Sequence, residues 1–402
     1  MESIRFDVER ARRETPGCAQ ILHFNNAGAS LMPAPVLDAV VDYLRLEARL
    51  GGYEAADRCE ERLEGIYDGA AALLGCARDE AAFVENATRA WDMAFYSLPF
   101  RAGDRILTGM AEYGSNYIAF LQVARRTGAR IEVIPDDPSG QISVDALRER
   151  LDERVKLIAV THVPTNGGLV NPAADIGRVA RQAGVPFLLD ACQSVGQMPV
   201  NVRDIGCDML SVTGRKYLRG PRGTGLLFVR RGMIERLEPP FLDLHAAAWT
   251  ARDRFEIRGD ARRFENWETN CAGKIGLGVA VNYAMGWGLE AIRQRITSLA
   301  GRLREGLGRL PRVAVRDLGR VKCGIVSFTM EGLAPSRIQT KLAEDGIHVR
   351  VSSAGATRLD MERRGVEEIV RASVHYYNTE EEVDRFCAAL ARLTGAASTG
   401  ES

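Results

Sequence analysis

The chain has no apolar stretch of eighteen residues, no excess of charge of either sign, and no Cys-x-x-Cys pair among its eight cysteines. The first absence leaves no candidate membrane span. Residues 1–10 mix charges where a secretory signal would need an apolar core, so a cytoplasmic protein is expected. Lys plus Arg equals Asp plus Glu at 53 each, which removes the electrostatic case for nucleic acid or a membrane surface as main partner. The cysteines, at positions 18, 59, 76, 192, 207, 271, 323 and 387, are scattered. Neither a metal site nor a disulfide framework is indicated, and reduced, mostly buried thiols are expected. There is no internal repeat. A dinucleotide fingerprint is also missing, because the glycine-rich run 220–225 leads into a strand pattern where that motif would open a helix. A small-molecule substrate is what remains.

With 402 residues, 46% of them hydrophobic, the chain exceeds one ordinary core, and a large and a small unit are expected. From about residue 80 to 230, short apolar runs alternate with amphipathic stretches. The pattern predicts strands over 105–108, 130–134, 156–161, 186–189, 209–212 and 225–229, and a helix over 116–126. Apolar strands without period-two alternation, separated by helices, imply an α/β fold around a mostly parallel sheet covered on both faces. Functional side chains then belong at the carboxyl ends of the strands. A long helical pattern over 56–74 follows Gly51-Gly52-Tyr53. Beyond Gly286-Trp287-Gly288 the order helix, strand, strand, helix, strand, strand, helix suggests a smaller α+β domain, whose last helix opens on a capping box of Thr379 and Glu382. The expected division is an arm over 1–30 serving the small domain and the active site, a large domain over 31–285, a small domain over 286–395 and a flexible tail over 396–402.

Two short segments carry the chemistry. Asp190-Ala191-Cys192-Gln193-Ser194 ends one buried strand, and Thr213-Gly214-Arg215-Lys216 ends the next. An acid and a lone lysine so placed are what a pyridoxal phosphate enzyme requires, a carboxylate for the pyridinium nitrogen and an amine for the Schiff base. Imine formation needs a neutral amine, and the cationic neighbours Arg215 and Arg219 would favour it. Asn86-Ala87-Thr88, at a turn into a helical pattern, can offer a helix amino terminus and a hydroxyl to a phosphate, and Thr213 a second hydroxyl. Strand alternation over 369–377 would put Arg371, Ser373, His375 and Tyr377 on one face, where the guanidinium can grip a carboxylate through two bonds. His375 is read as packed. Arg222, Arg262, Arg350 and Arg358, with Arg219, are candidates for holding a second anionic group of a substrate, most of them read as surface groups.

These motifs, with His162-Val163-Pro164-Thr165-Asn166, the 220–225 run and Tyr377-Asn378-Thr379, resemble the class V aminotransferase branch of fold-type I pyridoxal phosphate enzymes over nearly the whole chain. That branch includes cysteine desulfurases, C–S lyases, isopenicillin N epimerase-like proteins and some transaminases. The resemblance implies a large domain with a seven-stranded sheet and a smaller C-terminal domain. It implies that Lys216 carries the cofactor and then acts as general base, Asp190 pairs with the ring nitrogen, and Gln193 bonds the ring hydroxyl. Tyr113 would stack on the ring. Asn86, Ala87, Thr88, Thr213 and Arg215 would surround the phosphate, Arg215 standing where desulfurases carry histidine. Arg371 would hold the substrate carboxylate, assisted by Asn166 beside the ring hydroxyl and by Ala27 and Gly28. The stretch 263–270 would reach the phosphate of a second subunit through Thr269 or Asn270, making a homodimer with shared sites.

One departure narrows the function. Desulfurases carry a mobile cysteine shortly before the substrate arginine, and the stretch 349–357 here has none. Cys192 is read as packing. A C–S β-lyase acting on a cysteine-derived substrate without persulfide relay is therefore the favoured reading. A class V aminotransferase is the alternative, followed by an amino acid epimerase and a non-catalytic cofactor sensor.

Overall fold

The structure is a computed structural model and describes residues 6–396, with side chains described as far as Thr394. The tail expected from 396 onward lies outside the described residues except for Ala396, which closes the last helix. The central sheet has seven strands, in the spatial order Ala81–Val84, Gly225–Val229, Met209–Thr213, Phe187–Asp190, Val155–Thr161, Arg105–Thr108 and Arg130–Val133. Gly225–Val229 runs antiparallel to both of its neighbours. The other four pairings are parallel.

Six of these strands fall within a residue or two of their expected bounds. Alternate residues feed two buried clusters. Ile158, Val160, Leu189, Leu210 and Val212 face one, while Leu157, Ala159, Leu188 and Met209 face the other. A sheet packed on both faces needs apolar side chains at every strand position, which is why the runs lack alternation. Ala81–Val84 was not anticipated, because a four-residue apolar segment beside helical sequence has no distinguishing period. The order along the sheet reverses at Arg105–Thr108. The next strand in sequence lies on one side of it and the following one on the other, which opens a crevice at the carboxyl ends.

The long helix expected over 56–74 is two helices, Gly52–Arg58 and Glu60–Leu74, interrupted at Cys59, whose φ of −106° and ψ of 13° leave helical geometry. A hairpin of Ala247–Ala251 and Arg254–Ile257 was also unforeseen. The C-terminal part holds a four-stranded antiparallel sheet in the order Val313–Val315, Ile325–Met330, Glu368–Ser373, Arg350–Ser353. Its order differs from expectation by a six-residue helix, Arg358–Arg363, before the last strand, and by the strand Ile347–His348, which pairs with Leu22–His23. Neither is long enough to show a period. The capping box forms as expected: Glu382 N donates to Thr379 Oγ1 at 3.1 Å, and Thr379 N donates to Glu382 Oε2 at 3.3 Å.

Residues 22–28 attach the start of the chain to the strand that carries Arg371. Ser373 N donates to Phe24 O at 2.7 Å, and Ala27 N donates to Ser373 Oγ at 2.8 Å. That strand stops at Ser373, because the chain then turns and His375 N donates to Asn378 Oδ1 at 2.8 Å. Arg371 and Ser373 therefore share a strand face, but His375 and Tyr377 do not extend it. No helix among the described residues is long and apolar enough to cross a membrane.

Arg219 is neither a neighbour that tunes Lys216 nor a surface cation. It is 1% exposed, its φ is +61°, and its guanidinium lies 4.6 Å from the Tyr377 ring centroid. It donates to Leu31 O at 2.8 Å, to Tyr376 Oη at 2.6 Å and to Thr15 Oγ1. Arg262 is likewise engaged, paired with Glu64 and lying over the Tyr67 ring. Removing this donor leaves buried neutral acceptors unpaired, at roughly 1–3 kcal/mol each. Arg219→Met is expected to lower the thermal unfolding midpoint by several degrees, whereas the same change at exposed Arg222 leaves it within a degree or so; equal midpoints in a thermal melt would refute the pinning role.

Candidate active site

Parallel strands that end in register bring their last residues side by side. Thr161 pairs with Asp190 and Asp190 with Ser211, and Thr213 pairs with Gly225 two residues further on. Above these ends lies a cavity of about 430 Å³. Asp190, Gln193, Thr213, Arg215 and Lys216 line it from the two central strand ends. Asn86, Ala87 and Thr88 line it from the start of the helix Ala87–Phe95, and Tyr113 from the start of Gly114–Thr127. A larger cavity of about 570 Å³ lies at the opposite, amino ends of the strands, where Asp208 and Arg230 form an ion pair, and no predicted site residue lines it.

The local sequence explains the shape of the end lined by residues 86–88. Asn86 caps its helix by accepting from Arg89 N at 2.9 Å, which leaves the amides of Ala87 and Thr88 free to face the cavity. Gly225 lets the neighbouring strand start close by, since a Cβ there would lie 2.7 Å from Val212 O and 2.9 Å from the Asn86 carbonyl carbon. Arg215 does not point simply to this end: its guanidinium donates to Gly28 O.

Burial governs the ionisable groups. It lowers the Lys216 ammonium pKa; Arg215 and Arg371 add to the shift, while Cys192 and Asp190 oppose it. Burial pushes the Cys192 thiol well above its usual range, and the charge of Asp190 pushes it further. His162 falls to about 4 through burial alone and is neutral. His375 is fully buried against Tyr217 O, also with a depressed pKa, and is a packed histidine. Of the eight cysteines, all free, Cys59, Cys192, Cys207 and Cys323 are buried and the rest are half-buried. Among the described residues there is no cluster of three or more metal-ligating side chains.

Of the other predicted residues, Arg371, Asn166, Ala27, Gly28, Thr269 and Asn270 do not line the cavity, while Gln193 on its wall is tied to residue 27. Arg371 is buried and donates through Nη1 to Thr165 O at 3.2 Å and to Thr165 Oγ1, and its Nε has no partner. Asn166 Nδ2 donates to Thr357 Oγ1 at 3.0 Å, with Oδ1 buried and unpartnered. Gln193 Nε2 donates to Ala27 O at 3.0 Å, and its Oε1 is unpartnered. Asn270 caps the helix Cys271–Trp287 by accepting from Gly273 N, and neither it nor Thr269 lines this chain's cavity. Sequence reasoning missed Asn116, Thr161 and Thr165, which line the cavity, and Glu112 behind it. Glu112 precedes the helix Gly114–Thr127 that carries Asn116, so no helix-face spacing links them, and none of these residues has a local sequence signal.

This donor set fits pyridoxal phosphate. The open helix amino terminus with the Thr88 and Thr213 hydroxyls suits a phosphate, Asp190 suits a ring cation, and Lys216 is a buried amine with a lowered pKa. The unpartnered Gln193 Oε1, Asn166 Oδ1 and Arg371 Nε are buried polar atoms whose desolvation is uncompensated within this chain. Fold and site together define a fold-type I pyridoxal phosphate enzyme. Residues 22–386 match the family model described as aminotransferase class-V, and the chain belongs to that family. It is similar to a probable cysteine desulfurase of Xylella fastidiosa (strain 9a5c), 34% identical over 98% of this chain and 95% of that one. Its fold is similar to the apo structure of cysteine desulfurase from Thermococcus onnurineus NA1, with a TM-score of 0.90 at 29% identity, covering 98% of this chain and 100% of that one. A complex between the cystine C–S lyase C-DES and its product cysteine persulfide matches with a TM-score of 0.84 at 24% identity, covering 94% of this chain and 99% of that one, which bears on the fold alone.

Lys216→Ala is expected to abolish the absorption band of the lysine-linked cofactor while leaving the melt intact; a surviving band would exclude Lys216 as the attachment point. If Thr88 holds the phosphate, Thr88→Ala would remove one bond to a charged group, worth roughly 1.5–3 kcal/mol, and cofactor affinity should fall about ten- to a hundredfold in a titration; unchanged affinity would exclude that contact.

Proposed function

We propose that the chain is a C–S β-lyase acting on a cysteine-derived amino acid without storing a persulfide. The observation that carries this reading is the segment where desulfurases hold their mobile cysteine. Here Arg350–Ser353 is a strand paired to Glu368–Ser373, with Arg350 opposite Arg371, and Ala354–Ala356 and Arg358–Arg363 are short helices. No cysteine is present in it. Cys192 is no substitute, since a buried thiol kept protonated beside Asp190 is a poor nucleophile.

When bound, the cofactor supplies an electron sink for the bond broken at the substrate α-carbon. Arg371 holds the α-carboxylate by its guanidinium fork, with Asn166 and the 27–28 backbone beside it. With the cofactor in place, Asp190 would keep the ring nitrogen protonated, Gln193 would bond the ring hydroxyl, Tyr113 would stack on the ring, and Asn86, Ala87, Thr88, Thr213 and Arg215 would hold the phosphate. Lys216 Nζ takes the α-proton. The Cβ–S bond then breaks with its electron pair going to sulfur, which leaves as thiolate, and hydrolysis of the remaining unsaturated amine yields pyruvate and ammonia. The proposed assembly is a homodimer, in which Thr269 and Asn270 of a second copy would complete the phosphate end; that neither lines this chain's own cavity supports it.

Incubation of the holoenzyme with cystine, a cysteine S-conjugate and a cysteine sulfoxide should release pyruvate over many turnovers, with no sulfur retained on protein cysteines. Conversion of the cofactor to pyridoxamine phosphate with keto-acid formation from L-alanine would instead establish the transaminase. Light scattering should give twice the chain mass of 44.1 kDa, and a value of one chain mass would remove the shared site.

A further inference from the structure

Behind Asp190 lies a second carboxyl that the chemistry above does not use. Glu112 follows the strand Arg105–Thr108, is 4% exposed, and is held from three sides. Thr161 N donates to its Oε2 at 3.0 Å, the Thr161 hydroxyl reaches Oε1, and Thr108 Oγ1 donates to Oε2 at 3.1 Å. From the helix Gly114–Thr127, Tyr113 N donates to Oε1 at 2.9 Å. The connecting piece is Asn116. Its Nδ2 donates to Glu112 Oε1 at 2.9 Å and to Asp190 Oδ2 at 3.0 Å, so a single amide group spans the two buried carboxyls. Asp190 Oδ1 accepts from Cys192 N at 2.9 Å, which holds the carboxylate plane from its other oxygen.

The geometry points to Glu112 as a positioning residue that, through Asn116, orients Asp190 and adds negative potential behind the cofactor's ring nitrogen. The amide has only two N–H bonds and spends both on the carboxyls. Its orientation is therefore fixed by Glu112, and Asp190 Oδ2 receives a bond in a set direction. A carboxyl this deep is costly to ionise: burial first, and then the charge of Asp190, raise its pKa to about 7, while the bonds from Thr161, Asn116 and Tyr113 oppose the shift. Asp190 is the charged group facing it. His162, next to Thr161 on the adjoining strand, is neutral, and Thr108 and Thr161 carry no charge. A ring cation on the far side of Asp190 favours the ionised form of Glu112, and by reciprocity ionised Glu112 favours the ring cation. The sign follows: a carboxyl raised from 4.5 to about 7 in the empty site gives up its proton as cofactor binds, so its contribution to affinity grows as pH rises toward and past about 7.

The inference rests on the assignment of Asp190 to the ring nitrogen and is independent of the reaction type. The test is a pH titration of the absorption of bound pyridoxal phosphate in holoenzyme, together with cofactor dissociation constants at pH 5.5 and pH 8, for wild type, Glu112→Gln, Asn116→Ala, the double variant and Asp190→Asn. At an effective dielectric of about 20, removing a charge several ångströms away lowers the titration midpoint by on the order of one pH unit, and weakens binding about tenfold at pH 8 but little at pH 5.5. Asn116→Ala should move the midpoint in the same direction, and the double variant should fall short of the sum of the two singles. Asn116→Ala alone carries the test if Glu112→Gln does not fold. Glu112→Gln and Asn116→Ala profiles superimposed on wild type, with Asp190→Asn displaced, would overturn the role of Glu112 alone. An unmoved Asp190→Asn profile would overturn the Asp190 assignment and this inference with it.

Discussion

Thr161, Asp190 and Ser211 stand abreast on three parallel strands, and the site depends on that register. Side chains alternate faces along a strand, so a slip of one residue would turn Asp190 away from the cavity and drive Leu189 out of its core cluster. Apolar packing on both faces therefore specifies where the carboxylate points. The same packing places Lys216 in a setting that favours its neutral amine. Stability and reactivity here have one physical source, the exclusion of water from the carboxyl edge of the sheet.

The substrate side is built by long-range attachment. Residues 22–28 bond to Ser373 and bring their carbonyls against Gln193 and Arg215, while Asn166 bonds to Thr357. The start of the chain, the central sheet and the C-terminal sheet thus meet around Gln193, Arg215 and Asn166. Arg219 reinforces this from below, tying residues 15 and 31 to Tyr376. A buried cation satisfied by two backbone-proximal oxygens, a phenol and aromatic faces is costly to assemble and more costly to break. It favours one arrangement of the segments it joins.

How much of this was legible in the sequence varied with the range of the interaction. Asp190 and Lys216 were legible because each ends an apolar run of strand length, and strand ends in such sheets are where ligands bind. Asn86 was legible from its place before a helical pattern. Glu112 was not, because a glutamate next to a strand reads as a solvated end; only the meeting of Arg105–Thr108, Val155–Thr161 and Gly114–Thr127 buries it. Arg219 was misread for the same reason, since no local pattern distinguishes a buried arginine from an exposed one. The face assigned to His375 and Tyr377 failed because Asn378 turns the chain after Ser373, and a turn made by a side chain leaves the period of the preceding strand unbroken on paper.

The sequence by itself determined the class of fold, the strand ends, where a lysine and an acid stand on two adjoining strand ends, and the absence of a cysteine ahead of Arg371, because each is a local property of residue type and spacing. The tertiary structure decided which polar groups lose water, which way Arg215 and Asn166 turn, and that Asp190 is backed by a second carboxyl. Those outcomes depend on groups tens to hundreds of residues apart sharing one dry volume, where the cost of an unpaired charge selects partners that no window of sequence contains.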